Sequence, residues 1–260
     1  MSVILKDTIQ LLVDIRENNN RPWFAGQKDR YDLARQNVKD FLADLLVEME
    51  KIDQIEKNKL FRIYRDVRFS KDKTPYNSHW SMSLGRAKPY LRGGYYLKLN
   101  PEGAYLACGF WNPASSDMAL IRSNIDLDDK SFRKAINHKK VKAAWGEMVG
   151  NQVKSAPRGY DKNHPSIDLL RFKQFVFAKE YSLKQMHQKD FLKEVVKSYK
   201  EIRPFFNYMS DILGHNLNGE PLYKIRMIKS YSFIQSKEPV INTLKTINTK
   251  KQAKTVFNIK

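Results

Sequence analysis

The sequence predicts an α+β domain: a central, mainly antiparallel sheet with N-terminal and C-terminal helices packed on it. Three observations carry this. Apolar residues recur at helical spacing over the first fifty positions, alternate at strand spacing between about 60 and 110, and return to helical spacing from about 116. Helices, then strands, then helices is the order of an α+β domain and not of a βαβ sheet.

Each element has a local reason. Leu5, Ile9, Leu12 and Val13 share one helical face until "NNN" and Arg21-Pro22 end the run. Trp23 and Phe24 then read as an aromatic anchor that docks the turn on the core. A longer helix opens near Lys28, with Tyr31, Ala34, Val38, Phe41, Leu45 and Met49 recurring every three or four residues. From Leu60 the period falls to two. Phe61, Ile63, Val67 and Phe69 are expected on the core face of a strand, with Arg62, Tyr64, Asp66, Arg68 and Ser70 on the other. "HWSMSLGR" predicts a second strand, and "GYYLKLNPEGAYLACGFW" a hairpin turning at Asn100-Pro101-Glu102-Gly103. Helical spacing returns at 116–125 and at 129–149 with a break near His138. "SAPRGYDKNHPS" is a loop, followed by a short helix over Ile167 to Leu170 and a strand in "FKQFVFAKEY". A last helix opens after Asp190 and restarts at Pro204. Residues 1–219 are expected to form the domain, and 220–260 a basic C-terminal appendage.

The 260 residues are enough for a sizeable core, and 42% hydrophobic with 12% aromatic content excludes a disordered chain. No apolar run approaches the roughly 18 residues of a membrane span. "MSVILKDTIQ" is too short in apolar residues for a signal peptide, and Cys108 is the only cysteine. A cytoplasmic protein without membrane association is expected. The net charge of +19 favours acidic partners such as nucleic acid. Residues 221–260 hold nine Lys or Arg against Glu238 alone, so eight of those nineteen charges belong to the last stretch.

The stretch "RIYRDVRFSKDKTPYNSH", residues 62–79, stands out. In a strand register Arg65 falls on the core face, where a guanidinium needs a carboxylate or anionic partner unless a bulge turns it outward. Asp66 stands between Arg62 and Arg68 as a charge-balancing carboxylate, too acidic for a good base. Beyond it, Ser70, Lys71, Lys73 and Thr74 with turn N–H groups suit phosphate oxygens, and Tyr76 or His79 could stack on a ligand, as could Trp111 further along. The plain alternative is a solvated basic loop. The five histidines lie far apart, without HExxH or a cysteine partner, so no metal site and no cofactor are expected. No P-loop, GxGxxG or GxSxG motif is present. His164, near Asp161 and Asp168, is the remaining acid/base candidate.

"NNNRPWFAGQKDRY", the arginine-rich stretch, "GGYYLKLNPEG", "GFWNP" leading to "LIRSNI", and "APRGYDKNHPSIDLLRFKQF" together resemble the bacterial and fungal family called domain of unknown function 2461. The likeness runs from about residue 5 to 214 and departs at Asn77 and Ser78, where Lys and Thr are expected. It implies a single cytoplasmic α+β domain and carries no activity, cofactor or partner.

Three functions are compatible with these residues. One is an anion-binding domain for a phosphate-bearing ligand, including nucleic acid, with Arg62, Arg65, Arg68, Lys71 and Lys73 as cations. Another is an enzyme on a phosphorylated or carboxylated small molecule, with Asp66, Asp72 or His79 handling protons. In the third, the arginine-rich segment is purely structural.

Overall fold

The chain, described over residues 1–223 of a computed structural model, opens with three helices. They are α1 (Lys6–Glu17), the single turn α2 (Arg21–Ala25) and α3 (Lys28–Glu50). Asn20 caps α2 by accepting from the Trp23 N–H, and Pro22 sits in its first turn, where its missing N–H costs nothing. All six residues expected on the apolar face of α3 are buried.

Five strands follow: β1 (Ile55–Leu60), β2 (Trp80–Arg86), β3 (Gly94–Asn100), β4 (Gly103–Phe110) and, later, β5 (Phe175–Ser182). They form one antiparallel meander in the order β1-β2-β3-β4-β5. The α+β class is thus established. Between β4 and β5 lie α4 (Ser115–Leu127), α5 (Asp129–Ile136), α6 (Lys139–Trp145) and α7 (Ile167–Leu170). His138 caps α6 through Nδ1, which is why the helical run breaks there. After β5 come α8 (Leu183–Met186), α9 (Phe191–Glu201) and α10 (Arg203–Gly214), the last restarting at Pro204.

One correction concerns the first strand. β1 ends at Leu60, and the stretch from 61 onward is a loop. Of the four residues expected on its core face only Ile63 is buried, and Phe69 is 96% exposed. The Phe61 N–H donates to the Ser81 carbonyl, after which the chain leaves the sheet.

Among the described residues, the helices pack on one face of the sheet. Trp80, Met82, Leu84, Tyr95, Leu97, Leu106, Cys108 and Phe177 point into the core with the helices. Tyr31 of α3 stacks on Trp80, Tyr199 of α9 and Phe206 of α10 meet Tyr95, and Phe205 meets Phe177. The register fixes the opposite face as cross-strand rows. One runs Lys59, Ser83, Tyr96, Ala107, Ala178; its neighbour runs Ser81, Lys98, Tyr105, Glu180. Ala107 is buried yet outside the core cluster, as its position on this second face requires.

Met1–Leu222 cluster as one compact unit. Past Tyr223, the appendage expected over 220–260 lies outside the described residues. No helix among the described residues is long and apolar enough to cross a membrane.

Candidate functional site

The arginine-rich stretch forms a closed loop on two short legs. The Arg65 N–H donates to the Pro75 carbonyl at 2.9 Å and the Asn77 N–H to the Ile63 carbonyl at 2.7 Å, with Tyr64 and Tyr76 paired between them. "NNNRPWF" holds this base in place. The Asn19 amide brackets Tyr76, donating to its carbonyl at 2.9 Å and accepting from its N–H at 3.1 Å. Phe24 stacks on the Tyr76 ring at 4.1 Å. Tyr76 is 7% exposed and therefore packs on Phe24 instead of offering a stacking face.

Inside the loop most of the charge is self-satisfied. Arg65 donates through Nη1 to Asp72 Oδ2 at 2.5 Å, the Thr74 carbonyl at 3.0 Å and the Thr74 hydroxyl, and through Nη2 to Ser70 Oγ at 3.4 Å. The acid that meets Arg65 is Asp72. The Arg65 side chain is 21% exposed, at the rim and not on a core face. Arg68 forks onto Asp66 at 3.0 and 2.7 Å. Lys73 donates to the carbonyls of Val67 at 2.9 Å and Arg68 at 3.3 Å. Asp72 has its carboxyl lowered to about 2, first by the Thr74 N–H, then by the Thr74 hydroxyl and Arg65. Asp66 is lowered by Arg68, through the side-chain hydrogen bond and then the backbone one. Both are carboxylates engaged within the loop and weak bases at neutral pH.

Arg62 and Lys71 differ, for both are exposed and make no hydrogen bond or ion pair among the described residues. Arg62 lines an open groove of about 550 Å³ with Lys59, Leu60, Phe61, Tyr64, Asn77 and Ser81. Lys59 places its Nζ over the Phe61 ring at 4.7 Å. Lys59, Asn77 and Ser81 escape sequence reasoning because β1 and the loop base bring them together only in the fold. His79 is half-buried, its pKa lowered by that burial and then by Lys98. Trp111 sits beyond the far end of β4. The row of Trp80 crosses β4 at Ala104, and the seven residues to Trp111 span roughly 20 Å, so this indole and the loop base stand at opposite ends of the sheet.

His164 accepts from the Ser166 N–H through Nδ1 at 3.0 Å, so Nε2 carries the hydrogen, 2.9 Å from Asp126. The Asp161 carboxylate accepts from the Asn163 N–H and its carbonyl from the His164 N–H, and Asp168 takes both arms of Arg133 at 2.8 Å, so neither carboxylate meets the imidazole.

A charged cluster that sequence reasoning missed lies in the core. Asp53, in the turn after α3, has a side chain 1% exposed. It accepts from Arg86 Nε at 2.7 Å and the Tyr95 hydroxyl at 2.5 Å, and forms an ion pair with Arg203 at the start of α10. Arg86, itself fully buried, also donates to the Arg92 carbonyl at 3.0 Å and to Ser210 Oγ at 3.2 Å, and lies over the Phe206 ring at 4.5 Å. The available signal was Arg86 on the same alternating face as Trp80, Met82 and Leu84. The hydrogen bonds that tie Arg86 and Asp53 to β3, to the Arg92 carbonyl and to α10 suit a structural role.

A family model described as Conserved hypothetical protein (DUF2461) matches residues 7–208. No curated protein and no solved structure matches the chain.

Proposed function

The chain belongs to the DUF2461 family, whose description assigns no activity, and we propose from the geometry that its domain binds a phosphate-bearing ligand in the groove beside Arg62. The observation that carries this reading is an exposed guanidinium, in an open, polar-lined recess, that makes no hydrogen bond or ion pair among the described residues, its charge reaching Asp66 at longer range. Arg62 supplies a planar fork suited to two phosphate oxygens, Lys59 a second positive charge, and the Asn77 amide a neutral donor. Arg65, Arg68 and Lys73 support the site indirectly: with Asp72, Asp66 and the loop carbonyls they hold the backbone that presents Arg62. The same pairs favour the structural reading for that half of the segment. The engaged carboxylates speak against a proton-handling role for Asp66 and Asp72.

Isothermal titration with inorganic pyrophosphate at low salt tests the reading. Arg62→Ala should weaken binding about tenfold or more, at an unchanged melting temperature. Lys71→Ala, at the loop tip, should change it by less than about threefold. Equal affinity in wild type and a folded Arg62→Ala variant removes the groove as the site.

A further inference from the structure

Resting on that reading, we propose that the phosphate-bearing ligand is a single-stranded nucleic acid, laid across the face of the sheet opposite the described helices with its bases on Tyr96 and Tyr105. Among the described residues, the ring contacts between helices and sheet use the other face. On this one, Tyr96 and Tyr105 are partly buried on neighbouring strands one row apart, a diagonal pair; the Tyr105 phenol is shifted up first by its burial and then by Tyr96. Two aromatic rings a row apart are a platform for successive unpaired bases, since every base has a π face.

The surroundings suit a polyanion. Lys59 and Lys98 flank the rings in the same two rows, and Lys57 extends the line along β1. Ser83 and Ala178 leave room beside the rings, and Glu180 is the one acid in either row, at the β5 edge. The Arg62 groove opens at the same corner, because Lys59 and Ser81 belong both to these rows and to its lining. A strand crossing the rows would therefore pass its phosphates from Lys98 to Lys59 and into the groove. Double-stranded DNA presents no free base faces and does not fit this arrangement.

The test uses the full chain and fluorescein-labelled oligo(dT) and oligo(U), read by anisotropy, with a duplex of equal length and inorganic pyrophosphate as comparison probes. Tyr96→Leu and Tyr105→Leu should each weaken single-strand binding about tenfold or more, while Tyr→Phe at either position should retain it. Lys59→Ala with Lys98→Ala should flatten the slope of log K against log salt by about 1.4. Photocrosslinking with bromouridine oligonucleotides locates contact independently of any variant, and should map to Tyr96 or Tyr105. Duplex binding as tight as single-strand binding overturns the proposal. So do crosslinks confined to residues 224–260 with unchanged affinity in both leucine variants. In either case Arg62-dependent pyrophosphate binding leaves the groove reading standing; loss of oligonucleotide and pyrophosphate binding alike overturns both.

Discussion

Replacing Asp53 with asparagine isolates the charge that ties the sheet to α10. The substitution keeps the side chain's shape and an acceptor oxygen, but removes the negative charge shared by Arg86 and Arg203. The Arg86 side chain is 0% exposed, so water cannot replace the lost carboxylate there unless α10 lifts away, whereas Arg203, 22% exposed, keeps some access to solvent. Removing one partner of a buried pair costs about 3 to 5 kcal/mol. In a domain of this size each kcal/mol lowers the melting temperature by about 2 to 4 °C, giving an expected fall of about 6 to 20 °C at neutral pH. Calorimetry, or near-ultraviolet circular dichroism of the buried aromatics, reads this directly. The pH dependence has a defined sign. Burial alone would raise the Asp53 carboxyl, but the charges of Arg86 and Arg203 outweigh it and hold the folded value below 3.8. Its contribution is therefore fully present above the unfolded value and lost as pH falls through the lower folded one. The stability gap between wild type and Asp53→Asn should be constant above about pH 5 and narrow on acidification below it. A folded variant melting within about 2 °C of wild type at neutral pH would refute the pairing as a stabilising contact.

Three further outcomes follow from the same structure. Carbon-13 NMR should find the Asp72 carboxyl titrating at about 2, and Thr74→Ala should move it up toward 3.8; a wild-type value near 3.8 would mean that the loop is not closed by these bonds. Gly109→Ala should destabilise by more than about 1 kcal/mol, because φ is +137° and a Cβ would lie 2.2 Å from the Phe175 carbonyl oxygen. Gly85→Ala, whose Cβ would meet Lys57 at an ordinary 3.7 Å, should be nearly neutral, and equal urea midpoints for the two variants would contradict the contrast. Cys108 is fully buried, which pushes its thiol up well above the usual value, so it should resist a thiol reagent until the protein unfolds. Rapid labelling of the native protein would show that this part of the core opens.

What the sequence showed clearly was whatever local spacing encodes. The six-residue face of α3, the hairpin at Asn100–Gly103 and the restarts at His138 and Pro204 each follow from residues within a few positions of one another. The strand expected from Leu60 went astray because alternating charge in "RIYRDVRF" imitates a half-buried strand. The true edge strand, "IEKNKL", has almost no apolar side to reveal it, and its lysines suit an edge that must not pair with another chain. The need for a partner at Arg65 was legible and its identity was not, since Asp72 reaches it only through the turn of the loop. Asp53 and Arg203 carry no signal in the local spacing for the same reason: the fold brings them together.

The placement of that buried carboxylate bears on how the protein must be made. Arg86 leaves the ribosome early, yet its Ser210 partner follows 124 positions later, together with the Phe206 ring that roofs it. Until α10 has cleared the exit tunnel, the meander's inner face stays wet at this corner, and its aromatic residues are open to chaperones and proteases. Shortened chains ending before Phe206 are thus not smaller versions of the domain but unfinished ones. Quality control in a cell would meet them as such, however good their helices and strands.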